Sequence, residues 1–296
     1  MTNTNEEILL SGATGNVGSE LAKALSQKGV TFRAMVRSPD RAAGLGALRG
    51  AQLVGGDFDD AASLERALMG VDRAFLLTNS SAASEAQQRA FVDAARRARV
   101  RHIVKLSQWG ADATSPVRFL RYHAAVEQAI RASGMAYTFL RPNLFMQGLV
   151  QFRASIVEKS AFFAPAGDAK VSAIDARDIA AVAVAALTEP GHEGQVYDLT
   201  GPAAITHAEM AVSLSSALNR PVRFVDVPPD AMRDALLGVG MPEWQADGLL
   251  EDYAHYRRGE AAVVTPTVKA VTGREPRSFA EFARDYASAF GASRPT

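Results

Sequence analysis

The sequence predicts an α/β protein built on a doubly wound parallel sheet, with a smaller α/β lobe interleaved toward the C-terminus. Three observations lead there. Short β-rich runs alternate with alanine-rich amphipathic segments through the first half of the 296 residues. Several of those runs are apolar nearly throughout, as in Ile8-Leu9-Leu10 and Ala74-Phe75-Leu76-Leu77, which strands covered on both faces require. A turn with glycines at 12, 15 and 18 joins the first strand to the first helix.

In chain order, strands are expected at Glu7–Leu10, Thr31–Arg37, Ala51–Val54, Asp72–Leu77, Arg101–Leu106 and Tyr137–Arg141. Helices fall between them at Val17–Lys28, Pro39–Leu48, Ser63–Met69, Ser84–Ala98 and Pro116–Ser133. Right-handed crossovers then gather ligands at the carboxyl ends of the strands. Beyond Pro142 the pattern loosens, and residues 143–168 mix aromatics, glycine and polar side chains. A helix follows at Asp175–Thr188, containing the longest apolar run (Ile179–Leu187), then a strand at Gln195–Leu199. A helix at His207–Leu218, a strand at Val222–Val225 and helices near Asp230–Gly238, Glu243–Arg258 and Ser278–Phe290 complete the chain. The expected division is 1–142, with 171–200 returning to it, against a smaller lobe of 143–170 and 201–296.

Composition removes several classes of function. Thirty-two basic residues balance 32 acidic ones, which argues against a nucleic-acid partner held by bulk charge. The run Arg96-Arg97-Ala98-Arg99-Val100-Arg101 closes a helix, where cations suit the dipole. Without cysteine there are no disulfides, thiolate metal sites or cysteine nucleophiles. The five histidines, at 102, 123, 192, 207 and 255, lack metal-ligand spacing, so no metal is expected. No apolar run approaches the ~18–20 residues of a membrane helix. Met1 to Glu7 is polar and acidic, unlike the basic head of a signal peptide. The expectation is a cytoplasmic monomer or small homo-oligomer with neither a membrane nor a nucleic acid as partner.

Ser11-Gly12-Ala13-Thr14-Gly15-Asn16-Val17-Gly18 follows strand one and opens helix one. Gly12 makes the tight turn, Gly15 lets main chain approach a pyrophosphate, and Gly18 lets helix and strand pack closely. The N–H groups of the first helical turn, at its positive dipole end, then hold the phosphates. A bare glycine pattern says little, but this one sits between strand and helix at the start of an alternating chain. The sheet is therefore of Rossmann type, residues 1–142 are its dinucleotide-binding domain, and the smaller lobe is left for a substrate. Nineteen residues after Gly18 comes Arg37, where an NAD site places a carboxylate for the ribose 2′-hydroxyl. Met35-Val36-Arg37-Ser38-Pro39 carries no acid, and a guanidinium pairs with a 2′-phosphate, so the expected cofactor is NADPH. Arg41 is placed to help, and Pro39 turns Asp40 away; the competing reading makes Arg37 a solvated loop residue. Gly56-Asp57-Phe58 ends strand three and Leu77-Thr78-Asn79 ends strand four. Asp57 either accepts from an adenine amino group, with Phe58 stacked nearby, or caps the helix Asp60–Met69.

With these residues in place, the chain resembles the NmrA-like branch of the atypical short-chain dehydrogenase/reductases over nearly its whole length. The glycine loop matches, followed by Met35-Val36-Arg37, Gly56-Asp57-Phe58, Gly70-Val71-Asp72 and His102-Ile103-Val104-Lys105-Leu106-Ser107. Tyr137-Thr138-Phe139-Leu140-Arg141-Pro142-Asn143, Asp178-Ile179-Ala180 and Thr200-Gly201-Pro202 continue the match. The resemblance is strongest to NAD(P)H:quinone reductases, triphenylmethane-dye reductases and azoreductases of that branch. It implies an NADPH site without flavin, and a substrate cleft between two lobes. It further implies Gln108, Pro142, Asn143, Leu144 and Phe145 around the nicotinamide, with Thr78 and Asn79 flanking the ribose and diphosphate.

The departure from the wider superfamily matters more. Its Tyr-x-x-x-Lys pair is missing: the helix reads Arg121-Tyr122-His123-Ala124-Ala125-Val126-Glu127, with Val126 or Glu127 at the lysine position. Ser107 holds the superfamily serine position without those partners. An acceptor that becomes an alkoxide needs a proton donor contributing ~10²–10⁴ in rate. A quinone becomes a stabilised phenolate, and a cationic dye is neutralised, so either can finish with water. Loss of the pair thus disfavours secondary alcohols, leaving catalysis to orientation. His123 and Glu127, four apart on one helix, form either an oriented donor or a simple stabilising pair. Tyr122 is the next candidate donor, against a packing role. Lys105, inside an apolar strand, reads as a paired structural lysine more than as a cofactor contact. Trp109, Phe145, Phe152, Phe162, Phe163 and Trp244 could wall a flat acceptor, or simply fill cores. Met146, Met232 and Met241 read first as core filling.

Three functions follow, in order. The first is an NADPH-dependent oxidoreductase acting on quinones, azo compounds or related dyes. The second is an NADP(H)-binding redox sensor without turnover. The third is a reductase of imine-like C=X bonds, with His123 or Tyr122 as proton donor.

Overall fold

The computed structural model describes residues 7–291, so the expectation for Met1–Glu7 lies, apart from Glu7, outside the described residues. The chain opens with β1 (Ile8–Leu10), α1 (Asn16–Gln27), β2 (Phe32–Val36), a 3-10 turn (Pro39–Ala42) and α2 (Ala43–Gly46). It continues through β3 (Ala51–Gly55), α3 (Ala61–Leu68), β4 (Arg73–Leu76), α4 (Ser84–Arg97), β5 (His102–Leu106), α5 (Arg118–Ala132) and β6 (Ala136–Pro142). A 3-10 stretch (Met146–Phe152) leads to α6 (Arg153–Lys159), β7 (Ala161–Ala164), β8 (Lys170–Val171), α7 (Ala176–Thr188) and β9 (Gln195–Leu199). Last come β10 (Ile205–Thr206), α8 (His207–Leu218), β11 (Arg223–Asp226), α9 (Pro229–Gly238), α10 (Glu243–Arg257), α11 (Thr267–Thr272) and α12 (Phe279–Asp285).

Two compact units result. Unit 1 takes residues up to Thr114, Leu120–Arg141 and Ile179–Tyr197; unit 2 takes Ser115–Phe119, Pro142–Asp178 and residues from Asp198 onward. The returning segment is thus 179–197 where the sequence analysis puts 171–200, and Ser115–Phe119 groups with unit 2. The reason for that short excursion is packing. The Phe119 ring lies 5.3 Å from that of Trp244, and Arg118 donates to Glu251 at 2.7 Å.

Unit 1 is the Rossmann-type doubly wound α/β fold that the alternation predicts. Its sheet runs β3-β2-β1-β4-β5-β6-β9, with parallel pairing from β3 through to β6. Strand order reverses at β1 and β4, the position where such sheets open a crevice at their carboxyl ends. β5 is buried at every position, as an inner strand covered on both faces must be. Leu9, Leu68, Phe91, Ile103, Val126 and Phe139 fill one side of the sheet with no exposed surface. Unit 2 holds two minor sheets, β8 antiparallel to β10 and β7 parallel to β11. Its core gathers Leu149, Phe162, Met210, Leu214, Phe279 and Phe282.

The Pro39–Leu48 helix is replaced by a 3-10 turn and a four-residue α2, because Gly44 and Gly46 weaken its interior. Ser278–Phe290 divides into α12 and a 3-10 turn at Ala287–Phe290. The short β7, β8, β10, α6 and α11 went unpredicted, being too brief to show a period.

A Cβ at Gly18 would sit 2.1 Å from the Gly12 carbonyl oxygen, whereas one at Gly44 meets nothing within 4 Å. Gly18→Ala should therefore destabilise by about 2 kcal/mol or more, as overpacked sites do. Gly44→Ala, in an exposed helix, should be neutral or stabilising by about 0.5 kcal/mol. Chemical denaturation of both variants decides it; equal midpoints would refute the close-packing account.

Candidate active site

The glycine loop is built from β1 outward. Ser11, fully buried, donates through Oγ to the carbonyls of Phe75 (3.0 Å) and Leu77 (3.1 Å) and accepts from the Leu77 N–H (2.9 Å). That hydroxyl ties the end of β1 to the end of β4. Gly12 has φ +64°, and a Cβ there would strike Leu77 Cγ at 2.7 Å, so only glycine fits. Thr14, Gly15 and Asn16 are exposed, while Val17 and Gly18 are buried under α1. Gly15 is the N-cap of α1, no side chain caps that helix, and its first turn carries no acid. Uncapped amides at a positive dipole end beside a bare glycine are the arrangement an anion requires.

The neighbouring strand ends differ in what remains available. Thr78 Oγ1 accepts from Gln88 Nε2 at 2.8 Å, and the Asn79 carbonyl accepts from Ser84 Oγ at 2.6 Å, leaving the Asn79 side chain exposed. Asp57 is not the cap of α3: Asp60 holds that place, accepting from the N–H groups of Ala62 (3.0 Å) and Ser63 (3.2 Å). Asp57 instead accepts from the Asp59 N–H at 3.0 Å in a local turn. Phe58 is half-buried, its ring 5.7 Å from that of Phe91. Arg37, just past β2, is exposed and has no ion pair among the described residues; the Arg41 side chain lies outside the described ones.

At β5 and α5 the missing Tyr–Lys pair is replaced by a buried network. Lys105 has no exposed surface; its Nζ donates to the Leu106 carbonyl (3.1 Å) and meets His123 Nδ1 at 2.7 Å. Glu127, 1% exposed, receives Ser107 Oγ at 2.6 Å and the Arg141 guanidinium at 2.9 and 2.6 Å. Glu127 therefore does not orient His123; Lys105 does. Burial, and then the Lys105 and Arg141 charges, hold His123 well below its ordinary pKa, so it is neutral. An ammonium donating to Nδ1 leaves the ring proton on Nε2. Burial pushes Lys105 down to about 7, against the pull of Glu127 upward. Near neutrality, therefore, Lys105 is the member of the pair that titrates, while His123 stays neutral. Tyr122, buried, shares a 3.0 Å hydrogen bond with Ser80 beyond β4, and its ring lies 4.1 Å from that of His123. Arg141, which clamps Glu127, is the participant that spacing could not reveal. Gln108 follows β5 half-buried, its carbonyl accepting from the Ala111 N–H.

Within unit 2, Pro142 is buried, Leu144 and Phe145 are half-buried, and Phe145 bridges Ile174. Asn143 is fully committed: Nδ2 donates to Ser172 Oγ and the Ala261 carbonyl at 2.8 Å each, and Oδ1 accepts from the Leu144 N–H. Three hydrogen bonds thus pin that side chain within unit 2. Of the expected aromatic wall, Phe162 and Phe152 belong to the unit 2 core with Met146, and Trp244 packs on Phe119. Met232 is buried and Met241 half-buried. Among the described residues no group of three His, Asp or Glu side chains is arranged to hold a metal, and no helix is long and apolar enough to cross a membrane.

Lys105 releases its proton near pH 7 when folded but near 10.5 when unfolded, so the unfolded chain binds more protons across that window. Stability carried by this residue is thus present above 10.5 and is lost as pH falls toward 7. Lys105→Met should remove that slope, unfolding at a higher temperature than the parent at pH 6 and converging with it at alkaline pH. Parallel melting curves from pH 6 to 10 would contradict the buried charge.

The sequence pattern of the NmrA-like family matches residues 4–283. An NAD(P)H azoreductase from Xenophilus azovorans is 45% identical over 286 residues, covering 97% of this chain and all of the relative. The NADPH-dependent quinone oxidoreductase of Escherichia coli, crystallised with NADPH, superposes with TM-score 0.84 at 30% identity over 94% of this chain and 99% of its own. The Citrobacter triphenylmethane reductase, crystallised with NADP(H), gives 0.83 at 28% identity over 95% and 99%. Glycine loop, strand order and these matches agree, and the chain belongs to the NmrA-like family.

Proposed function

We propose that the protein is an NADPH-dependent reductase that passes hydride, without flavin or metal, to an electrophilic conjugated acceptor such as a quinone, an azo compound or a related dye. The coarser statement, an NAD(P)H-dependent oxidoreductase, rests on the azoreductase and quinone-reductase relatives. The single observation that carries the NADPH reading is the uncapped start of α1 at Gly15, in the same unit as an exposed Arg37 at the end of β2. The cradle fits a dinucleotide: side chains are forbidden at Gly12 and Gly18, while a Cβ at Gly15 would meet only the Gly12 carbonyl, at 3.4 Å.

Bound there, NADPH would supply a hydride from its nicotinamide ring. The amides of Asn16 and Val17 would receive the diphosphate, with Thr14, Leu77, Thr78 and Asn79 along the crevice. Arg37 would pair with the 2′-phosphate, and Asp57 and Phe58 would border the adenine. Ser107, already donating to Glu127, can offer the cofactor only its lone pairs. Pro142, Leu144 and Phe145 are proposed neighbours of the nicotinamide. The conjugated acceptor delocalises the incoming charge, so protein groups are needed mainly to orient it. His123, held by Lys105, and Tyr122 are proposed to hydrogen-bond the acceptor rather than to deliver an essential proton.

NADPH oxidation against quinones, azo dyes, cationic dyes and imines tests the assignment; activity with the first two is expected. A silent panel, with NADPH and NADP+ bound at different affinities, would replace the enzyme by a redox sensor. Arg37→Ala should raise KM for NADPH about tenfold, leaving that for NADH within about twofold, since one charge-assisted phosphate contact is lost. In the Tyr122→Phe/His123→Gln double variant, kcat should fall by less than about tenfold, because an essential donor would cost ~10²–10⁴. A larger loss would restore acid–base catalysis.

A further inference from the structure

Unit 2 contains a cavity of about 110 Å³ whose wall has an unusual composition. Phe145, Phe152, Phe162 and Met210 supply apolar faces, and none of the lining residues is charged. The polar exceptions include His207 and Tyr253. His207 opens α8, where a reciprocal cap between Thr206 and Glu209 fixes the helix start. Its ring is 97% buried, 5.3 Å from Phe224, 5.8 Å from Tyr253 and 6.3 Å from Phe162. Nδ1 is buried without a partner, and neither ring nitrogen makes a hydrogen bond among the described residues. The Tyr253 hydroxyl makes none among them either. Buried polar groups are ordinarily satisfied; Nδ1 has no accessible surface, so Nε2, unbonded yet not shut off, is the ring nitrogen that a guest in the cavity can engage. Burial pushes that imidazole down to about 4, against a weaker upward pull from Asp226, so it is neutral and offers one donor and one acceptor.

We propose, resting on the reductase reading, that this cavity is the acceptor's binding subsite and takes one uncharged aromatic ring bearing a hydroxyl or carbonyl oxygen, with His207 as its polar anchor. The volume is on the scale of the cavity of roughly 150 Å³ that holds a benzene ring in other proteins, so one ring enters and the remainder of a larger acceptor stays outside. The apolar wall accepts the ring faces. The imidazole N–H donates to a carbonyl, or its lone pair accepts from a phenol. A sulfonate or a cationic amine would lose its hydration with no countercharge on the wall, so charged rings are rejected. Quinones and neutral hydroxylated azo compounds are therefore favoured over cationic dyes and over azo dyes sulfonated on the entering ring. His207 discriminates among acceptors without handling a proton.

The test compares parent, His207→Phe, His207→Gln and Met210→Trp as full chains. Calorimetric titration uses phenol as the one-ring probe and benzenesulfonate as its charged counterpart; kinetics use 2,6-dimethyl-1,4-benzoquinone with NADPH. Phenol should bind the parent, benzenesulfonate should not, and Met210→Trp should abolish phenol binding by filling the space. His207→Phe should weaken phenol, and raise KM for the quinone, by about tenfold, the usual effect of deleting one hydrogen bond. KM for NADPH should stay unchanged, and His207→Gln should recover most of the loss, which a purely structural histidine would not do. Unchanged phenol binding and quinone KM in both His207→Phe and Met210→Trp would overturn the proposal while leaving the reductase reading intact. Tight benzenesulfonate binding would overturn it as well. Phenol bound as expected, with no acceptor oxidising NADPH, would uphold the cavity's ligand preference and overturn the reductase reading instead.

Discussion

The contact on which the rest depends is the approach of α1 to the loop that precedes it. Helix and loop touch where Gly18 faces the Gly12 carbonyl, and no side chain can be inserted at that point. Ser11 binds the other side of the loop to the end of β4 through three hydrogen bonds. The amides at the start of α1 are consequently held rigidly at the carboxyl edge of the sheet, at the reversal of strand order. Rigid, uncapped donors bind an anion without first having to be ordered, which is why so short a segment governs a whole nucleotide site.

How much of this was legible followed from whether the physics was local. The βα alternation, the glycine spacing and the helix at His207–Leu218 are written in neighbouring residues, and each forms as its pattern requires. The two-residue β8 and β10 pair only with each other, through partners more than thirty positions apart, and no local period announces them. Asp57 and Asp60 show the same limit at finer scale. Both can cap a helix, and only the backbone conformation decides that Asp60 does so.

The site around β5 and α5 was half legible. Lys105 stood out as a charge in an apolar strand, and His123 and Glu127 as a helical pair. The contacts that form run between helix and sheet: Lys105 on β5 takes His123, while Arg141 on β6 takes Glu127. Spacing along one helix says which side chains are able to meet, not which competing neighbour wins. Here Glu127 has a bidentate guanidinium available, geometrically the better partner for a carboxylate. The arrangement keeps a lysine and a histidine in contact without a carboxylate between them. Such a pair suits hydrogen bonding to an acceptor that stabilises its own negative charge better than it suits forced proton transfer.

Each compact unit is assembled from three separate stretches of the chain. During synthesis, therefore, the N-terminal unit cannot be completed until Tyr197 has left the ribosome, by which time Pro142–Asp178 of the other unit is already out. Maturation as two successive beads is denied to this chain, and the half-made sheet must wait with its β6 edge bare. Recombination between relatives is constrained likewise: a single crossover anywhere from Thr114 to Asp198 mixes parental segments inside at least one unit, so these halves descend together.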